Sequence, residues 1–144
     1  MPVKQVENPA WSEVDEIFST TDEVLVTDIE SGLSLRVSRI YGTNHADVEP
    51  VNAEDSEVLK EIYGGEWNWE RRPVVVQIDD RLLAGSITGM PHGENVNGHI
   101  SDNSFSGHFD IHFRGSRRHK DNEMDERHQN MVEIAAEKKW PLFR

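Results

Sequence analysis

The chain has 144 residues, enough for one domain that buries about two-thirds of the surface of its unfolded chain. Charged residues make up 29% of it and the net charge is −12, which disfavours nucleic acid as a partner because its backbone would be repelled. There is no cysteine, so disulfides, thiolate metal ligands and cysteine nucleophiles are excluded. No run approaches the roughly 18 apolar residues of a membrane span.

Residues 1–22 read as an N-terminal helical segment and residues 23–140 as a single domain. Asn8-Pro9, followed by Trp11, Val14, Ile17 and Phe18, predicts a short amphipathic helix with Pro in its first position. The opening residues lack the apolar core of a signal peptide. Glu23 to Ile29 and Leu33 to Ile40 read as strands of a hairpin turning at Glu30-Ser31-Gly32. In the second strand Leu33, Leu35 and Val37 alternate with Ser34, Arg36 and Ser38, which predicts one wet face. Tyr41 to Pro50 reads as a loop. Asn52 caps a helix through Val58, Leu59, Ile62 and Tyr63 that ends at Gly64-Gly65.

After Trp67 and Trp69 comes a strand, Pro73 to Ile78, then a turn at Asp79-Asp80 and a partner strand, Arg81 to Ile87. A long polar loop, Gly89 to Ser104, follows. Asp121-Asn122 and Asp125 offer caps for a last helix with Met124, His128, Met131 and Ala135 on one stripe. Strand pairs joined by hairpins rather than crossovers predict an α+β fold with a mainly antiparallel sheet and three helices.

The segment Phe105 to Phe113 is the most informative. Phe105, Phe109, Ile111 and Phe113 have the period-2 spacing of a buried strand face. His108, Asp110 and His112 then share the opposite face, with successive Cβ atoms about 7 Å apart. Five of the seven histidines (His92, His99, His108, His112 and His119) belong to this part of the chain. Two imidazoles flanking a carboxylate can bind a metal, move protons or orient a substrate, although solvent-facing His and Asp are also common on a one-sided sheet.

Three ligands and an open position make a catalytic zinc site. His45, Asp47, His108, Asp110 and His112 are the candidate ligands, and zinc is the candidate cofactor. His45 and Asp47 read equally well as turn residues bonding nearby backbone amides. His92 is held between Pro91 and Gly93 on a loop. His128 reads as a hydrogen-bonded boundary histidine, and His99 and His119 as weak candidates. Trp67 and Trp69 could either floor a ligand groove or anchor the strand that follows. No Gly-x-Ser-x-Gly elbow and no phosphate-cradling glycine loop is present.

His92-Gly93, a spacer, then Ser106-Gly107-His108-Phe109-Asp110 resembles the signature of the peptidoglycan L,D-transpeptidases, which is His-Gly, a spacer, then Ser/Thr-His-Gly-Cys. The span from Val24 to about Ala136 also resembles a bacterial domain of uncharacterised activity often joined to peptidoglycan-binding modules. Its strand reads Gly-His-Phe-Cys-Ile-His-Phe, within an Asn-His-Ala-Asp-Val-Glu-Pro … Gly-Met-Pro-His-Gly framework matching residues 44–50 and 89–93 here.

The resemblance implies an L,D-transpeptidase-like fold and peptidoglycan or a related peptide as partner. It also implies a place in the cell envelope or outside the cell. It makes His92, His108 and Asp110 candidate catalytic residues, to which the shared strand face adds His112; Ser106 and Gly107 of the motif, with Trp67 and Trp69 under the groove-floor reading, are the candidate substrate contacts. Asp110 occupies the position of the nucleophilic cysteine, so the implied acyl transfer is disabled or altered. The competing expectations are a zinc-dependent cell-wall hydrolase, in which His45/Asp47 and His108/His112 hold the ion, and a non-catalytic binding module.

Overall fold

Alternation of apolar and polar residues along six strands is what shapes this protein, because each strand must hide one face and can leave the other for a second layer. A computed structural model describes residues 3–93 and 100–142. Its elements are β1 (Lys4–Gln5), α1 (Trp11–Ile17), β2 (Glu23–Asp28), β3 (Ser34–Tyr41), β4 (Ala46–Pro50), α2 (Ala53–Ile62), β5 (Asn68–Ile78), β6 (Arg81–Gly89), β7 (Phe109–His112), α3 (Glu126–Ala136) and β8 (Lys139–Trp140). The six long strands close into an antiparallel barrel in the order β2-β3-β4-β7-β6-β5, and β1 pairs with β8 in a separate two-stranded ribbon. The class is α+β with three helices, as the hairpin pattern predicts.

The barrel interior takes one residue in two from every strand: Val24, Val26, Leu35, Val37, Ala46, Val48, Val74, Val76, Leu83, Ile87, Phe109 and Ile111 are all buried in one cluster. Trp11, Val14 and Phe18 of the first helical segment and Leu59 and Ile62 of α2 complete that cluster. The alternate residues of β5 and β6 face outward. Val75, Leu82 and Ala84 pack there against Val132 and Ala135 of α3.

Several local expectations need correction. Residues 46–50 form β4, a strand rather than a loop. Five consecutive residues there are buried, including Asp47 and Glu49, so its charged side chains are carried inside the structure. Helix α1 is capped by the backbone of Ala10, with no side-chain cap, so Asn8-Pro9 precedes the helix instead of opening it. Ser38 lies on the expected wet face of β3 but is buried. The buried stripe of α3 is His128, Val132 and Ala135, while Met124 lies before the helix and is exposed. Asn52 and Asp125 do cap α2 and α3, accepting bonds from Asp55 N and His128 N.

Candidate functional site

The site lies on the outer face of the barrel where β4, β7 and β6 run side by side. In β7, Phe109 and Ile111 point inward and are fully buried, so Asp110 and His112 must point outward. The cross-strand register puts Asp47 of β4 directly opposite Asp110, and Ser86 of β6 opposite His112. Two carboxylates facing each other across a ladder repel unless something cationic lies between them.

Histidines surround this carboxylate pair. His45 Nε2 lies 3.1 Å from Asp47 Oδ1 and 3.4 Å from Asp110 Oδ1. His92 Nε2 is 3.3 Å from Asp110 Oδ1. His108 Nε2 is 3.6 Å from Asp47 Oδ1 and 3.8 Å from Asp110 Oδ1. His119 Nε2 approaches the other oxygen of Asp47 at 3.8 Å. His45 Nε2, Asp47 Oδ1 and Asp110 Oδ1 are buried and make no hydrogen bond, although they lie within reach of one another.

Gly93 and Gly107 bring His92 into the group. His92 and His108 form a two-bond backbone bridge, with N–H donating to the opposite carbonyl at 2.9 and 2.8 Å. Gly93 has φ +76° and Gly107 φ +89°; a Cβ on Gly93 would strike the His108 ring at 2.3 Å from Cε1, and one on Gly107 would strike the bridge at 2.2 Å from His92 O. Glycine is therefore required at both positions.

The second nitrogen of two imidazoles is fixed by the backbone. His45 Nδ1 lies 2.8 Å from Arg117 O and His92 Nδ1 lies 2.8 Å from Met90 O, so each donates from Nδ1 and directs Nε2 at the carboxylates. Burial opposes a charge on His45, but the Asp110 and Asp47 carboxylates outweigh it and push its pKa up to about 10. The same competition, won by Asp110, raises His92. His108 goes the other way: burial and the neighbouring His92 and His45 hold it below the ordinary imidazole value against the pull of both carboxylates. Asp110 is depressed well below the carboxylate range by His45 and His92, against its burial.

Behind this group the rings stack. His45 lies on His112 at 4.5 Å and His112 on His128 at 3.8 Å, nearly parallel. His112 is buried, so of the three residues on the outer face of segment 105–113 only Asp110 and His108, which precedes β7, are partly exposed. Burial, reinforced by the neighbouring histidines, holds His112 neutral, and burial with nearby Arg71 lowers His128 to about 3. His128 Nδ1 shares a 2.7 Å hydrogen bond with Ser86 Oγ, so it is the bonded boundary histidine that its stripe suggests.

The expected site residues thus converge, with three exceptions. Ser106 is exposed and among the described residues does not line the cavity in front of the cluster. Trp67 packs edge-on against Phe105 at the core rather than facing a ligand. His99 lies outside the described residues, as do residues 94–98 of the long loop. Trp69 is half exposed and reaches His92, with ring centres 4.8 Å apart. The cavity holds about 380 Å³ and is lined by Trp69, Arg71, Thr88, His92, Asp110 and His112, among others. Arg71, Thr88 and Arg118 carry no local sequence signal for this role.

Ligand atoms held at about 2.0–2.2 Å from a tetrahedral ion are spaced about 3.3–3.6 Å apart. Five His–carboxylate pairs, His45 with Asp47 and Asp110, His92 with Asp110, and His108 with both, lie 3.1 to 3.8 Å apart. Three overlapping groups could each hold a metal ion, His45/Asp110/His112, His45/Asp47/His119 and His92/His108/Asp110, and the carbonyls of Arg117 and Met90 on the Nδ1 atoms of His45 and His92 are the outer partners such ligands require. No family model, curated protein or solved structure matches the chain.

Proposed function

We propose that this domain is a metal-dependent hydrolase of cell-wall peptides, or of related peptides, with zinc as its ion. One observation carries the reading: His45 Nε2, Asp110 Oδ1 and His112 Nδ1 are buried, make no hydrogen bond and belong to three residues whose ligand atoms lie within 4.8 Å of one another, an arrangement a cation satisfies. His45, Asp110 and His112 supply the ligand set, with Asp47 and His92 beside them against His45 and Asp110. A bound ion in such a site supplies Lewis acidity toward a carbonyl and lowers the pKa of a water. His108, neutral at pH 7 and partly exposed beside both carboxylates, is placed to accept a proton from the attacking water and return it to the leaving amine. Trp69 offers an apolar wall for the substrate. The cell-wall assignment rests on the motif resemblance.

The test is elemental analysis of the purified protein, followed by hydrolysis of peptidoglycan-derived peptides before and after chelation. About one equivalent of zinc per chain and activity that chelation removes and zinc restores are expected. Failure to bind zinc, manganese or any other divalent ion sinks the reading.

A second reading is favoured by the His92–His108 bridge, which holds both motif histidines beside Asp110 as the transpeptidase resemblance requires. Here Asp110 replaces the nucleophile and acyl transfer is lost. Under it, Asp110→Cys yields a thiol of low apparent pKa in alkylation, and adding His108→Ala abolishes the shift. A free-cysteine value near 8.5 in both proteins argues against it.

A further inference from the structure

Beside the His/Asp cluster two cavity-lining residues, Arg71 and Thr88, each carry a buried polar atom without a hydrogen-bond partner. The pairs Asn68↔Gly89 and Arg72↔Ile87 bracket three residues of β5 opposite one of β6, so Trp69, Glu70 and Arg71 together face Thr88. Such a bulge turns side chains out of the regular pleat. Here Trp69 and Arg71, two apart, both line the cavity.

Arg71 is clamped at two of its three nitrogens. Nη1 donates to Trp69 O at 2.9 Å and Nη2 to Asp125 Oδ2 at 2.6 Å, while Nε is buried with no hydrogen-bond partner. Thr88 is 2% exposed, and its Oγ1 is likewise unpaired. The β6–β7 register, continued one step beyond Ile87↔Ile111, sets Thr88 beside Asp110. Buried donors are seldom left without partners, and a pair of them on a cavity wall marks a place where a ligand supplies the acceptor. Arg118 and Lys120 line the same cavity, so its rim gathers cations in a chain of net charge −12. Arg71 and Arg118 also line an adjoining cavity with Arg127, Asp125 and Glu126.

We propose that this cavity is a subsite for a carboxylate group of the ligand, bound by the Arg71 guanidinium and the Thr88 hydroxyl, with the chain leading to it lying against Trp69. Arg71 is a preorganised donor because its side chain is held before the ligand arrives, and a carboxylate is the acceptor that guanidinium geometry favours. The subsite gives the domain a preference for peptides with a free carboxylate next to the scissile bond. The peptide character of the ligand rests on the proposed hydrolase reading; the anion preference does not.

The test uses acetyl-Ala-Ala and its C-terminal amide as probes, titrated into the purified protein while NMR follows the Trp69 indole N–H. The acid is expected to bind at least about tenfold more tightly than the amide, as a charge-assisted bond requires. Arg71→Met should remove that preference, and Thr88→Val, close in shape, should reduce it several-fold. Arg71→Lys keeps a cation facing Asp125 and stands in if the Met variant fails to fold; it should lose most of the preference because the fork is gone. Equal binding of acid and amide, binding of neither, or an undiminished preference in both the Arg71 and Thr88 variants overturns the subsite. Metal content measured on the same samples separates the two readings. An ion without acid preference rejects only the subsite, and acid preference without an ion rejects only the hydrolase.

Discussion

Replacing Gly107 by alanine should detach one arm of the site while leaving the barrel closed. A methyl group there meets His92 O at 2.2 Å, Gly93 O at 2.7 Å and His92 C at 2.8 Å, all backbone atoms that cannot rotate away. The His92–His108 bridge must therefore open, at the cost of two hydrogen bonds worth about 0.5–1.5 kcal/mol each. Holding alanine at φ +89° adds about 1–2 kcal/mol. The expected destabilisation is about 2–5 kcal/mol, read by urea unfolding. His92 Nε2, now 3.3 Å from Asp110, should leave with the loop, so zinc affinity should fall by at least about tenfold. Ser106→Ala, one residue earlier at an exposed position, should change neither quantity. A Gly107→Ala protein within 0.5 kcal/mol of the parent (roughly the spread of ordinary surface substitutions) that keeps its zinc affinity would refute the argument that the bridge delivers His92.

Other outcomes follow from the same geometry. Asp125, the cap of α3 and partner of Arg71, has its pKa lowered from 3.8 to about 2 by the His128 amide and Arg71, against its burial. Its stabilisation of about 2 kcal/mol should be present above pH 4 and vanish as pH falls toward 2, so the gap between parent and Asp125→Asn narrows over that window. Arg72→Met leaves the fully buried Asp28 carboxylate without its two bonds at 2.9 and 2.8 Å, and chemical denaturation should show a loss of about 3–5 kcal/mol. Adding Asp28→Leu should recover part of it. Chelation of zinc-loaded protein should lower its melting temperature, since an ion at a hundred times its Kd stabilises by about 2.7 kcal/mol. In Asp47→Ala the chelator should have much less effect.

The sequence makes the hairpins, the caps of α2 and α3 and the two-faced segment 105–113 legible because each is a local pattern of alternation or turn chemistry. Ala46-Asp47-Val48-Glu49 also alternates, but over too few residues, and its carboxylates suggest a solvated loop until β3 and β7 are known to flank it. Barrel closure depends on β4 pairing with β7 and β2 with β5, contacts between distant segments that no window of sequence contains. His92 is legible through the flanking Pro91 and Gly93, and its meeting with His108 is made by the two-bond backbone bridge. Arg71 and Thr88 are not, because a β-bulge decides where they point and the bulged stretch itself, Trp69-Glu70-Arg71, contains no glycine to mark it. Trp67 and Trp69 look equivalent in sequence and are separated only by the core surface that claims Trp67.

β7 divides its labour by parity. Phe109 and Ile111 fill the barrel, and Asp110 and His112 point away from it, so Asp110 makes no contribution to the apolar packing that holds the strand. Position 110 can thus accept another side chain without asking the interior to repack. A single-residue insertion in the same strand has no such freedom, since it would turn the phenylalanine outward and drive the aspartate into the barrel.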